Sequence, residues 1–365
     1  MTDKERFVNC VLGREIDRTP FMYYFGLWGE TIEEWRKQGV ESPETAWCSP
    51  EFGFDKPIID ASGLVNMLFC PEFETKIIEQ KEHTYIYQDF SGCIKEAVNG
   101  KSGIPKTIKN LIETREDWEK VKEERLNLDF EKRMKPGFID SMKYLKESGN
   151  PIQIGQFPCG LFGTLRDMMG VEALCVTFYD DPELIHDMMW HFTDLWIAIY
   201  EEICKYIHPD IIHIWEDMSG KSGSIISPDM VEEFMIPCYK KIHEFACRHG
   251  IEVISLDTDG ICNQLIPVFA KGGVNLMLPF EVAAGNDVVE LRKRFPYMAM
   301  LGGIDKMEIA KGREYIDHQI DIIEPLLSQS GYIPAFDHLV PPDVSYKDYV
   351  YFMKELKKRI YKHQR

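Results

Sequence analysis

The feature that constrains this chain most is an alternation. Short apolar, β-rich runs, many ending in a polar or acidic residue, are separated by longer amphipathic stretches with the helical period. The runs are Pro20 to Phe25, Leu64 to Phe69, Ile152 to Phe157, Asp210 to Trp215, Glu252 to Leu256, Val274 to Leu278, Tyr297 to Leu301 and Tyr332 to Ala335. The helical stretches include Pro182 to Ile207, Pro228 to Arg248 and Asp287 to Phe295. Ser227-Pro228-Asp229 sets an N-cap before a helix-starting proline, and His249-Gly250 supplies the stop at the other end. Eight strands with helical crossovers predict an α/β fold, a single (β/α)8 TIM barrel.

One stretch breaks the pattern. Thr75 to Val98 reads as an antiparallel hairpin turning at Phe90-Ser91-Gly92, an insertion after the second strand, spanning about residues 70–115 and capping one end of the barrel. The charged segment Thr114 to Ser148 reads as helical and leads into the third strand. No internal repeat and no Pro/Ser linker divides residues 1–365, so one domain is expected, and a chain of this size buries roughly 75% of its unfolded surface without staples.

Charge and cysteine usage exclude several classes. The formal net charge is −18, which leaves no basic stripe for a phosphate backbone, so nucleic acid is not an expected partner. No apolar run reaches the roughly 18 residues of a membrane span, and Met1 to Arg6 has no apolar signal core. The ten cysteines contain no Cys-x-x-Cys pair, which fits a reducing compartment and speaks against a zinc ribbon or iron–sulfur cradle. A cytoplasmic enzyme acting on a small molecule is the expectation.

In a barrel the active site lies at the C-terminal ends of the strands. Those ends supply Tyr23, Tyr24 and Phe25; Gln156 with Cys159; Glu216-Asp217; Asp257-Thr258-Asp259-Gly260; Pro279-Phe280-Glu281; Gly302-Gly303-Ile304-Asp305; and Phe336-Asp337-His338. Clustered carboxylates raise one another's pKa or attract a cation, and both are chemically useful. Acids at strand-to-helix junctions also serve as helix caps, and for any one of these residues the two readings stand level.

His338 is the strongest single candidate, the one histidine among the strand ends, placed beside Asp337 in a loop with Pro334, Pro341 and Pro342. An imidazole there suits a general acid or a metal ligand. His213, inside strand four, reads as a buried structural residue. The pairs Gly272-Gly273 and Gly302-Gly303 continue into no nucleotide-binding pattern and read as tight backbone positions. The run Met22 to Trp28 reads as aromatic core, or as an apolar wall for a flat ligand.

The chain resembles the uroporphyrinogen decarboxylase superfamily. The residues that carry this are Arg6-Phe7 to Arg14 followed by Asp17-Arg18-Thr19-Pro20, Ile226-Ser227-Pro228, Gly303-Ile304-Asp305, and Pro341-Pro342-Asp343-Val344-Ser345. The resemblance implies the barrel and two branches, porphyrinogen decarboxylases and methyltransferases that work with a corrinoid protein. The decarboxylases carry an Arg-Gln-Ala-Gly-Arg-Tyr motif after strand one, where this chain reads Tyr24-Phe25-Gly26-Leu27-Trp28-Gly29. Both arginines are missing, and an acidic mouth is the wrong partner for a polycarboxylate. The thiol-methylating branch holds zinc with a His-x-Cys after strand five and a later cysteine; here the matching positions are Asp257 and Asp259, and no cysteine follows Cys262.

The Asp-x-Asp-Gly form is similar to members associated with O-demethylation. By that resemblance the expected function is transfer of a methyl group from a small donor, an aryl methyl ether, to the cob(I)alamin of a separate corrinoid-binding protein. His338, Glu216 and Asp217 are then the expected catalytic residues. Tyr23, Tyr24, Phe25, Trp28, Gln156 and Asp305 would bind substrate. Asp257, Asp259 and Glu216 would be oxygen ligands for a divalent ion, zinc among the choices. A homodimer is a further expectation. The alternatives are a decarboxylase of a small non-porphyrin acid and a family member without catalysis.

Overall fold

The computed structural model describes residues 1–100 and 105–365. In chain order its strands begin with β1 (Ile59–Asp60), then β2 (Lys76–Gln80), β3 (Thr84–Gln88), β4 (Ile94–Val98) and β5 (Lys106–Lys109). They continue with β6 (Ile152–Gly155), β7 (Ile211–Trp215), the short pair β8 (Ser219–Gly220) and β9 (Gly223–Ser224), and β10 (Val253–Asp257). The last three are β11 (Leu276–Leu278), β12 (Ala299–Ile304) and β13 (Tyr332–Phe336). Strands β1, β6, β7, β10, β11, β12 and β13 are neighbours in that order, all parallel, in a sheet curled into a half-barrel. Register decides which side chains meet at the rim. Strands β7 and β10 pair in step from Ile211↔Val253 to Trp215↔Asp257, so their C-terminal ends are level.

Six of the eight expected strands are found within a few residues of where the periodicity puts them. Two are not. Leu64 to Phe69 forms no strand: the chain there leaves a 3-10 turn (Ser62–Leu64) and touches another segment through the lone bridge Val65↔Met134. Its place in the sheet belongs to β1, whose two residues are too few to register as a strand by pattern. Pro20 to Phe25 joins no ladder either. The backbone of Phe21 is taken by Asp55, whose N–H donates to the Phe21 carbonyl at 2.8 Å and whose Oδ2 accepts from the Phe21 N–H at 3.0 Å. Instead the segment lines a small cavity with Pro334, Ala335 and Phe336 of β13, and its one bridge to that side is Leu27↔Val340.

The turn at Phe90-Ser91-Gly92 lies between β3 and β4, closed by Asp89 Oδ1, which accepts from the N–H groups of Ser91 and Cys93 at 3.0 and 3.1 Å. It is the centre of a four-stranded antiparallel sheet, β2-β3-β4-β5, and this sheet follows β1. Residues 101–104 of the expected insertion lie outside the described residues. Thr114 to Ser148 is helical in three pieces, Arg115–Arg125, Phe130–Arg133 and Phe138–Ser148. The expected helix from Pro228 begins on the Ser227 cap, passes through a π turn (Val231–Met235), and ends at Gly250 in the left-handed region.

Two apolar clusters hold this together. The larger packs helices on the outer face of the sheet. The smaller fills the inner face with Ile211, Val253, Leu276, Leu301 and Ile333, and the helix Asp3–Val11 closes it with Phe7, Cys10 and Val11. That helix is tied down by a buried ion network. Arg6 Nε donates to Asp17 at 2.7 Å, Arg6 Nη1 reaches Asp55 at 3.2 Å, and Arg18 Nη1 donates to Asp55 at 2.9 Å. The Arg6, Asp17 and Arg18 signature is therefore structural. Removing one partner would strand a buried charge. Among the described residues no helix is long and apolar enough to cross a membrane.

Candidate active site

The strand ends converge on an acidic mouth. Strand β10 runs directly into Asp257 and Asp259, held by Thr258 between them, whose side chain is buried and accepts from the Met218 N–H at 3.0 Å. The backbone carbonyl of Asp257 accepts from the N–H groups of Glu216 and Asp217 at 2.9 and 3.2 Å. Burial, and then Asp259, Asp217 and Glu281, hold its carboxyl well above the usual range. Asp259 is pushed up to about 7 by burial and by Glu281 and Asp217, against the pull of Lys306. Glu281, after β11, accepts from the Gly260 N–H at 3.1 Å.

His338 follows β13 and stands over this group, its Nε2 3.8 Å from Asp259 Oδ2. Its ring stacks with Phe25 at 5.5 Å and 16°, and with Trp28 at 6.3 Å and 29°. Burial, with Lys306 nearby, lowers the imidazole pKa, so near pH 7 His338 is neutral. Lys306, the first residue of the helix after β12, places Nζ 3.3 Å from both Glu281 Oε1 and Asp337 Oδ1. Asp337 is fully buried and also accepts from the N–H groups of Val282 and Lys306, at 2.9 and 3.1 Å. Gly302 allows this closure. A Cβ on it would fall 1.9 Å from the Pro279 carbonyl oxygen.

Asp217 is on the rim, backbone φ +42°, paired with Arg166 at 2.7 Å. Tyr24 is half-buried, and desolvation of its hydroxyl together with Asp257 and Asp60 pushes its pKa up, so it lies in the field of both acids.

Four expected site residues stand elsewhere. Glu216 is fully buried and caps the helix Leu161–Met169: its oxygens accept from the N–H groups of Leu161, Phe162 and Gly163 at 2.8, 2.7 and 3.2 Å, and from the Tyr239 hydroxyl. That helix starts at Gly160, which offers no capping side chain, so the carboxylate comes from the neighbouring strand end. Asp305 caps its own helix, Lys306–Ile309, accepting from Met307 at 2.8 Å. Tyr23 packs edge-on against Trp47 and Phe54. Gln156 is exposed after β6, its Oε1 accepting from Gln153 at 3.3 Å. With Glu216 turned into a helix N-terminus, the expected ligand set Asp257, Asp259 and Glu216 is not assembled. Among the described residues no three His, Cys, Asp or Glu side chains are placed to hold a metal ion.

Three residues of the site were not among the expected ones. Asp60 ends β1, its carboxyl raised to about 6 by burial, and it lines a cavity of about 200 Å3 with Ser62, Phe69, Phe90, Lys135 and Phe157. Its signal was present in Pro57-Ile58-Ile59-Asp60, an apolar run ending in an acid, but short. Lys306 directly follows the recognised Gly303-Ile304-Asp305. Arg166 had no signal, because only packing brings its helix to the Asp217 rim.

The family model for uroporphyrinogen decarboxylase (URO-D) matches residues 92–359, from β4 to the last helix and well over half of the chain. The chain belongs to the uroporphyrinogen decarboxylase family. In structure this URO-D chain is similar to a methyltransferase from Methanosarcina mazei, with a TM-score of 0.66 at 16% identity, covering 99% of each chain. A B12-independent methionine synthase from Shewanella sp. W3-18-1 aligns at a TM-score of 0.41 and 12% identity, over 82% of this chain and 79% of the other. At such identities the first likeness is one of fold. No curated protein matches the chain by sequence.

Proposed function

We propose that this URO-D family chain transfers a methyl group from an aryl methyl ether to a reduced corrinoid carried by a second protein. The observation that carries this reading is the pair Asp257 and Asp259. Both carboxyls are raised by burial and by the neighbouring acids, Asp259 to about 7, so Asp259 can serve as an acid near neutral pH beside His338, whose ring stacks with Phe25 and Trp28.

Ether demethylation is limited by its leaving group, because an aryl oxide departs poorly unless its oxygen gains a proton as the C–O bond breaks. A protonated Asp259 supplies that proton, with the His338 ring 3.8 Å away as its neutral neighbour. The C–O electron pair stays on the ether oxygen, the carboxyl proton neutralises it, and the product leaves as a phenol. The corrinoid, when its carrier docks, supplies the nucleophile that accepts the methyl group. This chain contributes an open mouth with apolar surface for that contact: Trp28 and Phe157 are 45% and 44% exposed at the rim. Among the described residues the acids of the mouth do not assemble a zinc site. A carboxylate-rich substrate would meet the acids of the mouth, and two cations there, Arg166 and Lys306, are already engaged by Asp217, Glu281 and Asp337.

The test mixes the purified chain with cob(I)alamin and a panel of methoxyarenes and methylamines, and follows methylcobalamin in the visible spectrum. Transfer from a methoxyarene is the expected result. No transfer from any donor, or release of carbon dioxide from a small acid without corrinoid, would overturn the reading.

A further inference from the structure

The cavity at Asp60 has no part in the proton step proposed for the mouth, yet it lies on the same rim. Asp60 ends β1, and because the seven-stranded sheet is parallel throughout, it stands on the same edge as Asp257 at the end of β10. The Tyr24 hydroxyl is in the field of both acids. Aromatic rings line the way between them. Phe90, in the turn between β3 and β4, meets Phe157 edge-on at 5.9 Å and 79°, and Phe157 meets Trp215 of β7 at 4.8 Å and 81°. The cavity measures about 200 Å3. An apolar space of about 150 Å3 takes up one benzene ring, so there is room here for a single substituted ring and none for a macrocycle.

The polar groups of the lining have spare capacity of one kind. Asp60 is half-buried, and its Oδ1 accepts from the Ser62 N–H at 2.9 Å, which leaves the carboxyl further lone pairs. Ser62 Oγ is already taken by the Gly155 N–H at 2.6 Å. Asn66 has its Oδ1 buried with no hydrogen-bond partner among the described residues. Both groups are acceptors, and a buried acceptor left unmet is costly, so the matching ligand brings a hydrogen-bond donor. Charge agrees: Asp60 and Glu72 outnumber Lys135 in the lining, which disfavours an anionic substituent. We propose that this cavity binds the aromatic ring of the methyl donor by a free hydroxyl on that ring, which donates to Asp60 while Phe69, Phe90 and Phe157 enclose the ring. The inference rests on methyl transfer as the reaction of this chain and names the donor within it, a methoxyarene that also carries a phenolic hydroxyl.

The test measures binding to the full chain by calorimetry, with no corrinoid present, using methoxyphenol, methoxybenzene and methoxybenzoate. Methoxyphenol should bind at least about tenfold more tightly than methoxybenzene, the ratio expected for one hydrogen bond to a carboxylate. Asp60→Ala should bring the two ligands close to equality. Phe90→Ala, at an exposed turn, should weaken both alike and keep their ratio. Equal binding of the two rings by the parent chain, an Asp60→Ala variant that keeps the preference, a Phe90→Ala variant that binds both rings as tightly as the parent, or tightest binding of methoxybenzoate would each overturn the inference. Because binding is read without corrinoid, methyl transfer from methoxyarenes without this preference would overturn the cavity assignment and leave the proposed function standing.

Discussion

The imidazole of His338 lies 3.8 Å from the carboxyl of Asp259, and the two are shifted in opposite directions. Burial lowers the histidine and raises the aspartic acid to about 7. Near neutral pH the proton of this pair belongs on the carboxyl. His338 was the expected acid; in the function proposed above that part falls to Asp259, with the neutral ring as its neighbour.

This assignment fixes the pH dependence. An acid with a pKa of about 7 is protonated below that value and loses its proton above it. Methyl transfer should hold level on the acidic side and fall as pH rises through about 7, tending to tenfold per unit. A rate profile across that range checks it, and a rate that rises with pH would contradict the role of Asp259 as donor.

Removing the ring should do more than slow the reaction. His338→Ala is expected to lower kcat/KM by about 100-fold. It should also move the pH limb, because Asp259 loses a neighbour and gains solvent. A slower enzyme with an unmoved limb would place His338 in substrate binding alone.

Lys306 pulls the pKa of Asp259 down. Lys306→Gln should therefore shift the descending limb to higher pH. The same change leaves Asp337 buried without its cation, so stability should fall by roughly 1–3 kcal/mol. Urea unfolding and the rate profile, measured on one preparation, separate the two effects.

Glu216 makes a prediction about stability. Its carboxylate serves three backbone N–H groups and the Tyr239 hydroxyl in a fully buried setting. Glu216→Ala should cost roughly 2–4 kcal/mol, since those donors lose their acceptor without reaching water. Glu216→Gln keeps one acceptor oxygen and should lose less. Equal stability of the alanine variant and the parent would refute the capping role.

The alternation of strand and helix was legible because most strands of a covered parallel sheet are continuous apolar runs, and six of them fell where expected. Asp257, Asp259 and His338 were found by the same rule, being the residues that follow long, clear strands. Two of the errors share one cause, tertiary hydrogen bonds that no local pattern encodes. Asp55 captures the Phe21 backbone and keeps Pro20 to Phe25 out of the ladder. Glu216 looks like its acidic neighbours in sequence, yet it turns to the uncapped helix at Gly160. Asp60 was passed over because β1 is two residues long.

The central claim is that a protonated carboxyl of this chain carries the leaving group away. Methoxyarenes whose phenol products span a range of pKa values would be turned over in a single cycle with cob(I)alamin, using the parent chain and Asp259→Asn. The account predicts a weak dependence of rate on leaving-group pKa for the parent, and for Asp259→Asn a steep dependence with rates lower by at least about 100-fold. Parallel dependences for the two proteins, at similar rates, would contradict it.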